Sequence, residues 1–274
     1  MMHLPLRSVL FVPAANDKAM SKVAALEADA LILDLEDSAG EAEKAEALKR
    51  VVRALEAGGF AAPVVLVRVD PALKTPILQA LTRFVGHGLH GYVVPKVGLP
   101  VHLHGYEAPV WAMIETAKGV LNLREICTAP GLQGLIAGPN DLRADLRVSP
   151  TPERTELQLA LSHIVLHGRA FGLSVIDGVY NAFRDDEGLR RECANGQALG
   201  FDGKTLIHPA QIAVANAVFA ATAEQLDWAR AVVAAFAQPE NADRGVVSVN
   251  GEMVERMHLA TAQRWLGSAG QRLP

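Results

Sequence analysis

The sequence predicts a (β/α)8 TIM barrel followed by a short strand–helix extension. Three observations predict it. About eight apolar runs read as strands, with helical patterns between most of them, and that alternation favours parallel pairing. Run after run finishes in an ionisable residue, which is costly unless the strand ends open onto one polar face. The chain has 274 residues, enough for one such barrel and a tail. The competing architecture, an open doubly wound sheet, accounts less well for the strand count and the spread of polar strand ends.

Residues 9–12 supply the first strand. The second is the most informative: Leu31-Ile32-Leu33-Asp34-Leu35-Glu36-Asp37-Ser38 begins as a buried strand and ends in carboxylates. Residues 64–67 end in Arg68-Val69-Asp70, residues 92–94 in Pro95-Lys96, and residues 110–114 in Glu115-Thr116. Residues 135–137 run into Gly138-Pro139-Asn140-Asp141, residues 173–176 into Asp177, and an eighth strand from Thr205 into His208-Pro209. Helical periodicity covers residues 18–28, 41–57, 76–85, 118–128, 152–171 and 187–199. A turn-rich stretch follows at residues 238–245. Beyond it, residues 246–249 read as a strand, Asn250-Gly251 as a tight turn and residues 255–266 as a helix. The barrel domain is therefore expected over residues 1–237 and the extension over 238–274. A hairpin-like tail cannot join a closed sheet, so it is expected to pack outside the barrel or on another subunit.

Half of the residues are hydrophobic and a fifth are charged, so a sizeable core is available. The formal net charge of −4 offers no electrostatic case for nucleic acid. No apolar run reaches membrane-spanning length, and residues 9–12 are too short for a secretion signal. Cys127 and Cys193 fall in helical patterns without metal-ligand spacing, so they read as buried thiols in a reducing compartment. A cytoplasmic enzyme is the expectation.

Glu115 and Asp141, at the ends of neighbouring strands five and six, form the best metal pair. Two carboxylates completed by substrate oxygens and water suit Mg²⁺. The plainer reading of Asp141 is a helix cap. Arg68 carries a permanent charge suited to an enolate or carboxylate oxygen, and its plainer reading is an ion pair with Glu36 or Asp37. Lys96 at the end of strand four has the chemistry of a Schiff-base lysine. A counter-ion to Asp34, Glu36 and Asp37 is the better account of it. His87, His90, His102 and His104 fall in connections approaching strands, the stability end of a barrel, and read as loop histidines. His208 is on the functional face.

These residues resemble the citrate lyase β-subunit-like proteins, which group with malyl-CoA and citramalyl-CoA lyases among Mg²⁺-dependent aldolases. The resemblance spans nearly the whole chain. It rests on Arg7-Ser8-Val9-Leu10-Phe11-Val12-Pro13, the Leu33 to Ser38 segment with Lys44 after it, Val67-Arg68-Val69, Val94-Pro95-Lys96 and Ile114-Glu115-Thr116. It continues through Gly138 to Leu142, Asp186-Glu187-Gly188-Leu189, and Gly203-Lys204 into Ile207-His208-Pro209-Ala210-Gln211-Ile212. It implies a homo-oligomer, a trimer or hexamer, whose C-terminal extension reaches a neighbouring subunit. It implies Mg²⁺ on Glu115 and Asp141, Arg68 on the substrate oxygens, and a CoA thioester across the strand ends. Arg7, Lys18 and Lys22 are then candidates for the CoA phosphates, with Glu36 and Lys96 as a polar floor. The implied reaction is carbon–carbon cleavage of a malyl-CoA or citramalyl-CoA type thioester to acetyl-CoA and an α-keto acid.

Four positions depart from the family pattern. Ala14 and Arg147 stand where glycine is usual, and Asp70 where asparagine is usual. Glu255 replaces an aspartate that in relatives enters the neighbour's site. Alternative readings are a malyl-CoA-type thioesterase, a CoA-independent class II pyruvate aldolase, or a citrate lyase β subunit working with an acyl-carrier partner. The aldolase reading lacks its usual histidine, since Glu36-Asp37-Ser38 stands there instead.

Overall fold

A computed structural model of the chain describes residues 6–36, 43–241 and 243–269. Asp37 and Ser38, part of the second strand-end motif, lie outside the described residues. The described residues form two compact units, 6–219 and 220–269.

The first unit is a closed barrel of eight parallel strands in sequence order. They are β1 (Ser8–Pro13), β2 (Ala30–Asp34), β3 (Val64–Arg68), β4 (Gly91–Val94), β5 (Val110–Ile114), β6 (Leu132–Ala137), β7 (Ser174–Asp177) and β8 (Gly203–Leu206). The helices between and after them are α1 (Asp17–Met20), α2 (Lys44–Ala57), α3 (Lys74–Leu81), α4 (Ala117–Leu121), α5 (Leu123–Ile126), α6 (Pro139–Leu146), α7 (Gln158–Ala170), α8 (Asp186–Leu199) and α9 (Ile212–Phe219).

Period-2 alternation explains both the core and the site. Val9, Ala30, Ile32, Val64, Leu66, Val93, Trp111, Met113, Ile136 and Ile176 form one cluster, the barrel interior. Their strand neighbours Leu10, Leu31, Leu33, Val65 and Val67 pack outward with Val51, Leu55 and Ile77 of α2 and α3. On the other side Ala112, Ile114, Leu135 and Val175 meet Leu161 and Ile164 of α7. Each inward column, continued one step, delivers a charged side chain to the C-terminal mouth: Ile32 leads to Asp34, Leu66 to Arg68, and Met113 to Glu115.

Several helices differ from expectation. Residues 18–28 hold only the single turn of α1 and a short 3₁₀ turn at Val23–Ala25. The pattern over 118–128 splits into α4 and α5 around Asn122. The pattern over 152–171 starts its helix only at Gln158, because Arg154 takes a left-handed φ of 53° and turns its side chain into the protein.

The second unit contains α10 (Ala223–Phe236), the antiparallel hairpin β9 (Val246–Val249) and β10 (Glu252–Glu255), and α11 (Arg256–Ser268). It begins at Ala220, ahead of the expected boundary after residue 237. The reason is α10, whose Ala229, Val232, Val233 and Phe236 share a core with Val247, Val249, Val254, Ala262 and Leu266. Thr222 and Gln225 cap α10 reciprocally, at 3.1 and 2.9 Å. Among the described residues no helix is long and apolar enough to cross a membrane.

Candidate active site

A cavity of about 330 Å³ opens at the C-terminal ends of the barrel strands. Its lining includes Phe11, Asp34, Arg68, Glu115, Asp141 and Thr205.

Arg68 is buried at 7% exposure. Its guanidinium is gripped bidentately by Asp34, with Nε and Nη2 each 2.7 Å from a carboxylate oxygen. The two residues are direct neighbours in the β2–β3 register, which is why the fork meets the carboxylate squarely. Nη1 lies 3.1 Å from Glu36, and the Phe11 ring sits 4.8 Å from the guanidinium carbon. Lys96 Nζ donates to the other Glu36 oxygen at 2.8 Å. Glu36 therefore links the Arg68 guanidinium to the Lys96 ammonium, and neither Glu36 nor Lys96 is among the side chains that line the cavity. Lys96 takes the counter-ion role, with Glu36 as its partner.

Glu115 is 1% exposed. The Lys96 backbone N–H donates to its Oε1 at 2.7 Å, an approach for which Lys96 holds a left-handed φ of 51°. Gly138 leaves room for the other oxygen, since a Cβ there would come within 2.4 Å of Glu115 Oε2. Burial pushes the Glu115 carboxyl up to about 7. The Lys96 N–H opposes that rise, Asp141 and Glu36 add to it through like charge, and Arg68 counters it. Asp141 sits in the first turn of α6, whose capping position is Gly138, so Asp141 is not the helix cap. Among the described residues no group of three or more His, Cys, Asp or Glu side chains is arranged as a metal cage. A buried carboxylate in net negative surroundings, with one further acid on the same cavity, fits a hard dication that draws its other ligands from water and substrate.

The remaining candidates lie elsewhere. Arg7 precedes β1, at the opposite mouth, and is held bidentately by Asp29 at 2.8 and 2.9 Å. A CoA-phosphate contact does not fit that position, which corrects the expectation for Arg7. Lys18 and Lys22 follow the C-terminal end of β1 and are exposed. Glu255 belongs to the second unit, exposed where β10 meets α11, with its N–H donating to His258 Nδ1 at 2.9 Å. Asp70 adds no loose charge, because it is buried and paired with Lys44 at 2.6 Å. His208 accepts from the Ala210 N–H and stacks on Phe183 at 4.7 Å. Cys127 and Cys193 are free and buried, and burial pushes both thiols up to about 11.

Asp34 as the partner of Arg68 escaped the sequence reading. The signal was present, since both residues close neighbouring strands at equivalent positions, but using it requires the strand register. Asn140, inside the Gly138 to Asp141 turn, pairs its amide reciprocally with that of Asn181 at 2.9 and 3.2 Å beside the cavity, and Asn181 itself carried no sequence signal.

The sequence profile of the HpcH/HpaI aldolase/citrate lyase family matches residues 7–108 and 104–209. The chain is 41% identical over 271 residues to a (3S)-malyl-CoA thioesterase of Cereibacter sphaeroides, covering 97% of this chain and 95% of that protein. It is 33% identical over 290 residues to the mitochondrial citramalyl-CoA lyase of Homo sapiens, covering 95% and 84%. Protein CitE from Mycobacterium tuberculosis, solved in complex with magnesium, acetoacetate and coenzyme A, is similar at a TM-score of 0.75 and 32% identity, covering 96% and 98%. These relatives include both a lyase and a thioesterase. With its barrel, its strand-end acids and identity along nearly its whole length, the chain belongs to the HpcH/HpaI aldolase/citrate lyase family.

Proposed function

We propose that this chain is a Mg²⁺-dependent enzyme of malyl-CoA or citramalyl-CoA type thioesters that cleaves the carbon–carbon bond between the carbinol carbon and the thioester methylene. The observation that carries this reading is that one cavity is lined by a braced guanidinium, Arg68, and by two acids, Glu115 and Asp141. Glu115 and Asp141 are the proposed metal ligands. When bound, Mg²⁺ supplies Lewis acidity and fixed positive charge to the substrate's hydroxyl and carboxylate oxygens. Arg68, pre-aligned by Asp34 and Glu36, meets the charge that develops on the thioester oxygen as the bond breaks. Its alignment costs nothing at that moment, because the fork is already held. The hydroxyl gives up a proton and the methylene carbon gains one, so malyl-CoA yields glyoxylate and acetyl-CoA without water. Glu255 of a neighbouring chain is the proposed group for the proton at carbon. Lys18 and Lys22, exposed at the same end of the barrel, are the proposed contacts for the CoA phosphates.

A second reading is favoured by the 41% identity to a thioesterase: water attacks the same thioester and releases malate and free CoA. One experiment separates the two. The full chain with Mg²⁺ is incubated with malyl-CoA or citramalyl-CoA and the products identified by mass. Glyoxylate or pyruvate with acetyl-CoA is expected, and the free acid with CoA selects hydrolysis. Excess chelator, or the Glu115→Ala, Asp141→Ala double variant, is expected to abolish either reaction. Turnover of neither thioester would overturn the proposal.

A further inference from the structure

Behind the cavity wall lies a second set of charges that touches no part of the cavity. Lys204 of β8 and Asp177 of β7 are register partners, both 0% exposed. Lys204 spends its three donors fully: on Asp177 Oδ2 at 3.0 Å, on Glu192 Oε1 of α8 at 2.7 Å, and on the Gly178 carbonyl. Arg154, 1% exposed, closes the group with Nη1 2.8 and 2.9 Å from the two Asp177 oxygens. Asp177 Oδ1 also accepts the Gly178 N–H at 2.8 Å. Both polar groups of Gly178 are thus held by buried charges.

Gly178 is wedged against the turn that carries Asp141. A Cβ on Gly178 would lie 2.0 Å from Pro139 Cδ and 2.7 Å from the Ala137 carbonyl oxygen. Pro139 opens α6, two residues before Asp141. The loop leaving Gly178 is steadied again by buried Gln211, whose Nε2 donates to the Tyr180 carbonyl at 3.0 Å, and by the Asn181–Asn140 amide pair. The packing therefore runs from Lys204 to Gly178, from Gly178 to Pro139, and along the first turn of α6 to Asp141.

We infer that Lys204 is a positioning residue: by seating Gly178 against Pro139 it fixes the start of α6 and so the placement of Asp141 beside Glu115. The inference rests on the proposed metal role of Asp141. Its test is Mg²⁺ affinity of the full chain without substrate, read by calorimetry beside thermal melts of each variant. Lys204→Met is expected to weaken binding about 10- to 100-fold, the usual scale for a residue that orients a metal ligand. Glu192→Gln strips one charge from the same cluster without touching Gly178, so it is expected to lower the melting temperature and leave Mg²⁺ affinity unchanged. Gly178→Ala keeps every charge and displaces Pro139, so it is expected to weaken binding as Lys204→Met does. It decides the matter if Lys204→Met does not fold. Native affinity in both Lys204→Met and Gly178→Ala would overturn the inference, as would an equal loss in Glu192→Gln, which would mean general loosening. Failure of the native chain to bind Mg²⁺ would remove the metal reading itself, and this inference with it. Native binding with unaltered variants removes the inference alone.

Discussion

Arg68 and Glu115 show how one backbone approach or one strand partner sets the chemistry of a side chain. Arg68 needs a planar fork to meet Asp34 with two parallel bonds, 2.7 Å each. A lysine keeps the charge and loses the fork. Arg68→Lys is expected to lower kcat/KM on the thioester by about 100-fold or more, the scale of one lost charge-stabilising donor. Steady-state kinetics with malyl-CoA checks this, and near-native turnover would remove Arg68 from the developing charge. The pairing of Lys96 with Glu36 carries a second expectation, that its amine is committed as a counter-ion and forms no Schiff base. Borohydride treatment in the presence of pyruvate should leave the protein mass unchanged, and a stable adduct on Lys96 would contradict the enolate route. The cavity positions of Arg68 and Glu115 were legible in the sequence because each follows an apolar run, and that of Asp141 because it closes the Gly138 to Asp141 turn after one. Arg7 was misplaced although its position held the answer: it precedes the first strand, and a residue before a strand faces the opposite mouth.

The helical connections follow local rules except where long-range contacts overrule them. Arg154 is the clearest case. Its surroundings read as helix, but pairing with Asp177 draws it inward, and the chain turns there before α7 begins. No local signal announces that partner, 23 residues away. Arg147 shows the reverse, a local rule broken at an exposed site. It ends α6 with φ 57° and ψ 41°, the left-handed cap that glycine adopts without penalty. The family pattern of glycine at this position has that physical reason. Arg147→Gly is expected to raise stability by about 0.5–1 kcal/mol, the left-handed strain relieved less the larger unfolded-state entropy of glycine. Thermal melts of the two proteins measure it, and a lower melting temperature would mean that the arginine makes a compensating contact.

The barrel unit carries the cavity, and the second unit carries its own apolar core and the exposed carboxylate of Glu255. We propose that the active form is an oligomer in which Glu255 completes a neighbour's site. Glu255→Gln is then expected to leave Mg²⁺ binding nearly intact while sharply lowering turnover. Mixing inactive Glu255→Gln chains with inactive Asp141→Asn chains under subunit exchange should restore part of the activity, because some sites receive both native carboxylates. A mixture that stays inactive despite verified exchange, or full activity as a monomer, would rule out the shared site.

By itself, the sequence determined the barrel and the mouth that gathers its charged strand ends. Strand alternation and acid-terminated apolar runs are local properties with period 2, and they point side chains inward or outward whatever the neighbours are. The tertiary structure decided which of those charges meet. Asp34 grips Arg68 through strand register, Lys96 turns its backbone N–H onto Glu115, and Lys204 with Arg154 neutralises Asp177 behind the wall. Each is a contact between residues 19 to 34 positions apart in the chain. Such contacts form because burying a charge is tolerable only beside its partner, and no local pattern reports where the partner arrives.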